Sequence, residues 1–390
     1  MKYNFDAVID RTGTGSIKHD LKWEIFQNRE VIPMWVADMD FETPDFIRQA
    51  VAKRALHPVY GYTFRDEDYY QSIISWMRRR HGWHIEKDWI VFSPGVVPAL
   101  NMVLLALTSP GDKVIVQPPV YFPFFTAVKD HERELVYNEL LCLNDRYLID
   151  FELLEQQAKD ARLLILSNPH NPVGRCWTRD ELSRLGEICL QNNVMVLSDE
   201  IHGDLVLPPN RHQVFANISE ALSGITITAH APSKTFNLAG LSTSSLIIQD
   251  EEIRKMVKSV VQKLHLEMGN IFGNEATKAA FQQGDDWLDQ LLVYLNENIR
   301  LTQSFLADQL PDLKVFVPEA TYMVWLDFTS FGLDDKSLRE KMIHEAGLGL
   351  SPGIDFGPGG SLKMRLNVAC PRSVLKQALQ KMVEAFRLID

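Results

Sequence analysis

The feature that most restricts this chain is an alternation. Short apolar runs rich in β-branched residues are each followed by a stretch with helical periodicity. The runs fall at Trp89–Ser93, Lys113–Gln117, Leu163–Ser167, Val194–Ser198, Gly224–Ala229 and Ser245–Gln249. Helical patterns lie between them at Val97–Leu107, Arg179–Gln191 and Glu251–Lys263. Strands that read as unbroken apolar runs are buried on both faces, and strand–helix repetition places them in successive βαβ units. The spacing therefore predicts an α/β fold with a mostly parallel sheet between helices.

From about Asp285 the texture changes. A long helical pattern runs from Trp287 towards Leu306, followed by strand-like Lys314–Val317 and Tyr322–Asp327 and a helical Lys336–Ala346. Met364–Asn367 reads as a strand and Ser373–Leu388 as a closing amphipathic helix. This predicts a smaller α+β unit beside the first. The expected organisation is an N-terminal segment, 1–47, packing on the small unit, a large domain, 48–285, and a small domain, 286–390. With 390 residues, such an arrangement buries a core without disulfides or metals.

Composition excludes several classes. A net charge of −11 and the absence of any Lys/Arg-rich run speak against a nucleic-acid partner. The start of the chain lacks the apolar core of a signal peptide, and no apolar run is long enough for a bilayer. The four cysteines have no metal-binding spacing, so no metal site and no disulfide framework are expected. A cytoplasmic protein is the simplest reading.

Candidate chemistry lies where strands end, because open α/β sheets bind ligands at their carboxyl edge. Lys234, in Ala231-Pro-Ser-Lys-Thr-Phe-Asn237, follows one run; a lysine in a pocket loses its proton and forms an imine with an aldehyde. Ser233 beside it offers a hydroxyl to a phosphate, although an isolated Ser-Lys pair also reads as a solvated loop. Asp199, with His202 three residues on, follows another run. It suits a cationic ring nitrogen, or equally a helix cap beside a core histidine.

Two Asn-Pro pairs in Ser167-Asn-Pro-His-Asn171-Pro172 form a rigid loop in which an X-Pro bond can be cis; an ordinary turn is the alternative. Ser93-Pro-Gly95-Val96-Val97-Pro98 joins a strand to a helix whose first amides could face a phosphate, or serve as a plain turn. Tyr121 could stack on a flat ring or fill the core. Tyr60-Gly-Tyr62 adds a phenol beside a flexible glycine. Arg365, within an apolar strand, wants a carboxylate, whether a substrate's or a structural partner's. Trp35, Tyr322 and Phe356 either line a side-chain pocket or pack in the core.

Together, Gly95, Tyr121, Asn171-Pro172, Asp199, Ser233-Lys234 and Arg365 resemble fold-type I pyridoxal-5′-phosphate (PLP) enzymes, the aspartate-aminotransferase-like superfamily. The resemblance covers nearly the whole chain. It is closer still to the MalY/PatB-type C–S lyases, through Pro33-Met-Trp-Val-Ala-Asp-Met-Asp-Phe41, Val59-Tyr-Gly-Tyr62, Ser198-Asp-Glu-Ile-His202, the Lys234 segment and Arg365-Leu-Asn-Val-Ala-Cys-Pro-Arg372.

The resemblance implies the following roles. Lys234 carries PLP as a Schiff base and moves protons. Asp199 pairs with the pyridine nitrogen, Asn171 bonds the phenolic oxygen with His202 nearby, and Tyr121 stacks on the ring. Val96, Val97 and Ser233 hold the phosphate, joined by Tyr62 from the other subunit of a homodimer with a shared active site. Arg365 binds the carboxylate of an amino-acid substrate. His202 and Ala231 stand where aminotransferases commonly have tyrosine and serine, and Ser242 where many have arginine. These departures imply a less charged phosphate site and, for the first two, β-elimination from cystathionine or other cysteine S-conjugates rather than transamination. An aminotransferase and a PLP-binding regulatory protein with little turnover remain the other two readings.

Overall fold

The structure, a computed structural model, describes residues 2 to 387. Its centre is a seven-stranded sheet. The strands are β1 (Ile90–Ser93), β2 (Lys113–Val116), β3 (Glu134–Tyr137), β4 (Ala161–Ser167), β5 (Met195–Asp199), β6 (Thr226–His230) and β7 (Ser244–Ile247). Their spatial order is β1-β7-β6-β5-β4-β2-β3. Only β7 runs antiparallel to its neighbours, β1 and β6. β1 therefore points the same way as the parallel block, and six strands present their carboxyl ends at one edge.

Six of these strands match the apolar runs. β3 is the exception. It is an edge strand whose four residues are exposed or half-buried, so it has no apolar run to betray it. Helices α1 (Glu67–His81), α2 (Val96–Leu107), α3 (Arg179–Gln191) and α4 (Glu251–Lys263) include the three expected from periodicity. α3 begins at a capping box in which Thr178 and Glu181 exchange hydrogen bonds, which fixes its start.

The C-terminal unit opens with α5 (Asp285–Gln309) and carries a four-stranded antiparallel sheet. Its strands are β8 (Lys314–Phe316), β9 (Met323–Asp327), β10 (Ser351–Pro352) and β11 (Lys363–Asn367), in the order β8-β9-β11-β10. The helix expected over Lys336–Ala346 is α-helical at Asp335–Glu340 and widens to a π-helical turn at Lys341–Glu345. The closing helix α6 spans Arg372–Phe386; the expected end at Leu388 lies outside the described residues.

The N-terminal segment is stapled to this unit. Ile32–Pro33 pairs in parallel with Leu348–Gly349, and the Asn367 amide donates to the carbonyls of Val36 and Asp38, both at 2.7 Å. Asp38 and Asp40 hold a dense charge cluster there. Arg11 binds both carboxylates, at 2.6 and 2.7 Å, and the buried Lys18 reaches Asp40 at 2.6 Å. These contacts fix the stretch Trp35–Asp38 against the mouth of the large sheet.

Candidate active site

Five strand ends converge. β1 leads into Val96 and Val97, β2 into Tyr121, β4 into Asn171, β5 ends on Asp199, and β6 leads through Ala231 to Ser233 and Lys234. All seven of these residues line one inner cavity of about 230 Å³, together with His202. Arg365 lies in an adjoining outer cavity of about 870 Å³. The two cavities share Ala37, Tyr121 and Lys234.

Two adjacent carboxylates on β5 and its loop have opposite fates. Glu200 is buried but satisfied. It meets His212 Nε2 at 2.7 Å and accepts from Ser198 Oγ at 2.8 Å and Phe215 N–H at 3.0 Å. Asp199 is equally buried and accepts one backbone N–H, from Ile201 at 3.1 Å, with no ion pair among the described residues. Burial pushes its pKa from 3.8 to about 7. A buried carboxylate left this way calls for a cation.

Lys234 shows the complementary state. Its Nζ donates to the Ala37 carbonyl at 2.6 Å and has no carboxylate within ion-pair distance among the described residues. Burial, reinforced by the Arg365 charge, lowers its pKa from 10.5 to about 8, so the free amine is far more accessible near neutral pH than in an ordinary lysine. Arg365 is buried as well. It donates to Asn171 Oδ1 at 3.0 Å, the Trp35 carbonyl at 2.8 Å and Ser351 Oγ at 3.2 Å, and stacks on Phe356 at 4.8 Å. Its Nε has no partner, and no acid pairs with it among the described residues. Among the described residues Arg365 therefore forms no structural salt bridge, and its guanidinium is chemically suited to a carboxylate.

His202 is held neutral by burial and by the charges of Lys234 and Arg365, and its Nδ1 is buried without a partner. Because Asn171 gives its oxygen to Arg365, its NH₂ is left for a ligand. Gly95 caps α2 without any side-chain hydrogen bond, so the first amides of that helix face the cavity unpaired. Ser242 lines the inner cavity, and no arginine does so among the described residues. Both Asn-Pro bonds of the 167–172 loop are cis.

These groups fit PLP. There is an amine for its aldehyde, a solitary buried carboxylate for its ring nitrogen, donors for its phenolic oxygen and a helix N-terminus for its phosphate. The model of the aminotransferase class I and II family matches residues 29–382. This chain belongs to that family. The cystathionine β-lyase PatB of Bacillus subtilis (strain 168) is 44% identical over 384 residues, 98% of this chain and 99% of that protein. Cystalysin from Treponema denticola, whose crystal structure contains pyridoxal 5′-phosphate, superimposes with a TM-score of 0.96 at 38% identity, covering 99% of each chain. The PLP-bound C–S lyase from Staphylococcus hominis gives 0.92 at 33% identity, covering 99% of this chain and 98% of that one.

One expected member of this family site stands apart. Tyr62 is 95% exposed, on an exposed stretch with Val59, Tyr60 and Phe64 that has no regular secondary structure, and does not line its own chain's inner cavity. Conversely, sequence reasoning missed a buried support for the lysine segment. Asp204 is fully enclosed and takes hydrogen bonds from Trp76 Nε1 (2.9 Å) and from Thr235 Oγ1 (2.8 Å), the residue beside Lys234. His81 Nε2 and His230 Nε2 stand 2.7 and 3.5 Å from its two oxygens. Although burial opposes ionisation, these imidazoles hold the carboxyl well below the usual range. Removing the centre of such a network leaves buried polar groups without partners, so Asp204→Ala is expected to lower stability by about 3 kcal/mol in urea unfolding. The scatter of its partners along the chain explains why no local pattern pointed to it.

Proposed function

We propose that this protein is a PLP-dependent carbon–sulfur β-lyase, cleaving cystathionine or related L-cysteine S-conjugates to a thiol, pyruvate and ammonia. The observation that carries the reading is the pair of half-buried Lys234 and buried Asp199, neither in an ion pair among the described residues, at the ends of adjacent strands, with Lys234 shared with the cavity that holds Arg365. The likeness to PatB over almost the whole chain supports the choice of leaving group.

Bound here, PLP supplies an electron-withdrawing ring that makes the substrate's Cα proton removable. The protein's residues divide the remaining work. Lys234 is the attachment point and then the base that takes the Cα proton. Asp199 keeps the ring nitrogen protonated. Asn171 and His202 would bond the phenolic oxygen, Tyr121 would stack on the ring, and Val96, Val97 and Ser233 would hold the phosphate. Arg365 fixes the substrate carboxylate. With the proton on Lys234, the thiolate departs from Cβ, and the three-carbon remainder hydrolyses in water to pyruvate and ammonia.

A homodimer with Tyr62 reaching the neighbouring phosphate site belongs to the same proposal, supported by the apolar exposure around that residue. So do a cytoplasmic location and domain limits of 1–47, 48–285 and 286–390. Among the described residues, no helix is long and apolar enough to cross a membrane. The test is to supply cystathionine without any keto acid. Pyruvate and free thiol are expected; activity that appears only with a keto acid would make the protein an aminotransferase, and PLP uptake without turnover would make it a binding protein.

A further inference from the structure

The outer cavity holds two charges that the elimination chemistry does not use. Asp355 sits in the short turn Gly353–Phe356, directly before the ring that carries the Arg365 guanidinium. Its side chain is exposed, accepts no hydrogen bond and forms no ion pair among the described residues; partial desolvation raises its pKa against the pull of Arg339 and Arg365. Arg339 lines the same cavity from the helix Asp335–Glu340. It gives one N–H to the Ile25 carbonyl at 2.8 Å and has no carboxylate partner among the described residues.

The other charges near this wall are engaged. Asp335 accepts from Ser361 Oγ at 2.6 Å and Leu362 N–H at 2.7 Å, and Lys336 stands 3.8 Å from Glu340. Between these groups and Arg365 the lining is largely apolar, with Phe26, Trp35 and Ile354. The order of burial gives the cavity a direction: Arg365 is buried at its base, whereas Arg339 and Asp355 face solvent at its mouth. Of Trp35, Tyr322 and Phe356, for which the sequence left a side-chain pocket or core packing open, Trp35 and Phe356 line this cavity, whereas Tyr322 lines neither cavity and packs in the core.

A ligand that suits this shape has a carboxylate at the base, an apolar thioether in the middle, and both an ammonium and a carboxylate at the far end. We propose that Asp355 and Arg339 recognise a second α-amino-acid head group, Asp355 taking its ammonium and Arg339 its carboxylate. The preferred substrates are then thioethers that join two amino acids, rather than S-alkyl or purely anionic conjugates. The inference rests on the β-lyase reading.

The experiment compares holoenzyme variants Asp355→Asn and Arg339→Gln on four substrates: L-cystathionine, S-(2-aminoethyl)-L-cysteine, S-(2-carboxyethyl)-L-cysteine and S-ethyl-L-cysteine. Pyruvate release gives kcat/KM. For Asp355→Asn we expect a loss of about tenfold on cystathionine and the aminoethyl compound, as losing one charge-assisted contact implies. S-ethyl-L-cysteine should change less than about twofold, because it offers no charge for the contact to act on. Arg339→Gln should depress cystathionine and the carboxyethyl compound instead. Equal losses on all four substrates, or no loss on cystathionine, would overturn the assignment. If the unaltered protein releases no pyruvate from any thioether, the lyase reading itself falls; if it does so from S-ethyl-L-cysteine alone, only the head-group inference falls.

Discussion

Lys234→Ala is expected to abolish both the absorption band of the lysine-linked cofactor and measurable pyruvate release. The loss has two sources. The covalent anchor goes, and with it the base for the Cα proton, which alone accounts for about 10²- to 10⁴-fold in rate. The variant should nevertheless fold. Nζ makes a single hydrogen bond, to Ala37, and no ion pair, so its removal takes away a buried, poorly compensated group. A melting temperature no lower than that of the cofactor-free parent, alongside the loss of turnover, separates a chemical effect from a structural one. Lys234→Arg is not expected to rescue, because a guanidinium neither loses its proton nor forms the imine. Retention of full activity by the alanine variant would contradict the assignment outright.

The second large effect is at Asp199. Asp199→Asn keeps the shape and removes the charge, so cofactor content should be preserved while kcat falls by about 10²-fold or more, a loss in the class seen when an electrostatic partner of the reacting centre is removed. A change of less than about threefold would reassign the residue, since that is well under the energy of one buried ionic contact. The cofactor-free protein offers an independent signature. Burial raises the folded-state pKa of Asp199 from 3.8 to about 7, so folding favours the protonated form. Its contribution to stability is complete below pH 3.8 and is lost as pH rises through about 7. The melting temperature of the cofactor-free parent should therefore decline across that window relative to Asp199→Asn, in which this titration is absent.

Much of this site is written locally. Lys234, Asp199, Asn171 and Val96 each follow an apolar run, and a run that ends in a loop is visible within ten residues. Arg365 stands out because it interrupts an apolar strand. What is hidden depends on contacts between distant parts of the chain. The carbonyl that holds Lys234 belongs to Ala37, and backbone atoms leave no trace in residue type. The group that braces Thr235 is Asp204, whose position two residues past His202 suggests only a loop or a cap. Asp355 and Arg339 are ordinary charged residues until the fold sets them on one cavity wall. β3 has no apolar run because an exposed edge carries no hydrophobic signature, and the exposed Tyr62 lines neither the inner nor the outer cavity of its own chain.

The pairing of Ile32–Pro33 with Leu348–Gly349 also sets a timetable. A ribosome makes Ile32 long before Leu348, and at about 5–20 residues per second the interval is on the order of tens of seconds. Throughout that wait the strip bearing Ala37 lacks its docking strand, while the large sheet can already condense. The pocket around the reactive amine is therefore closed last, leaving a window during synthesis in which a vitamer could enter a half-built protein.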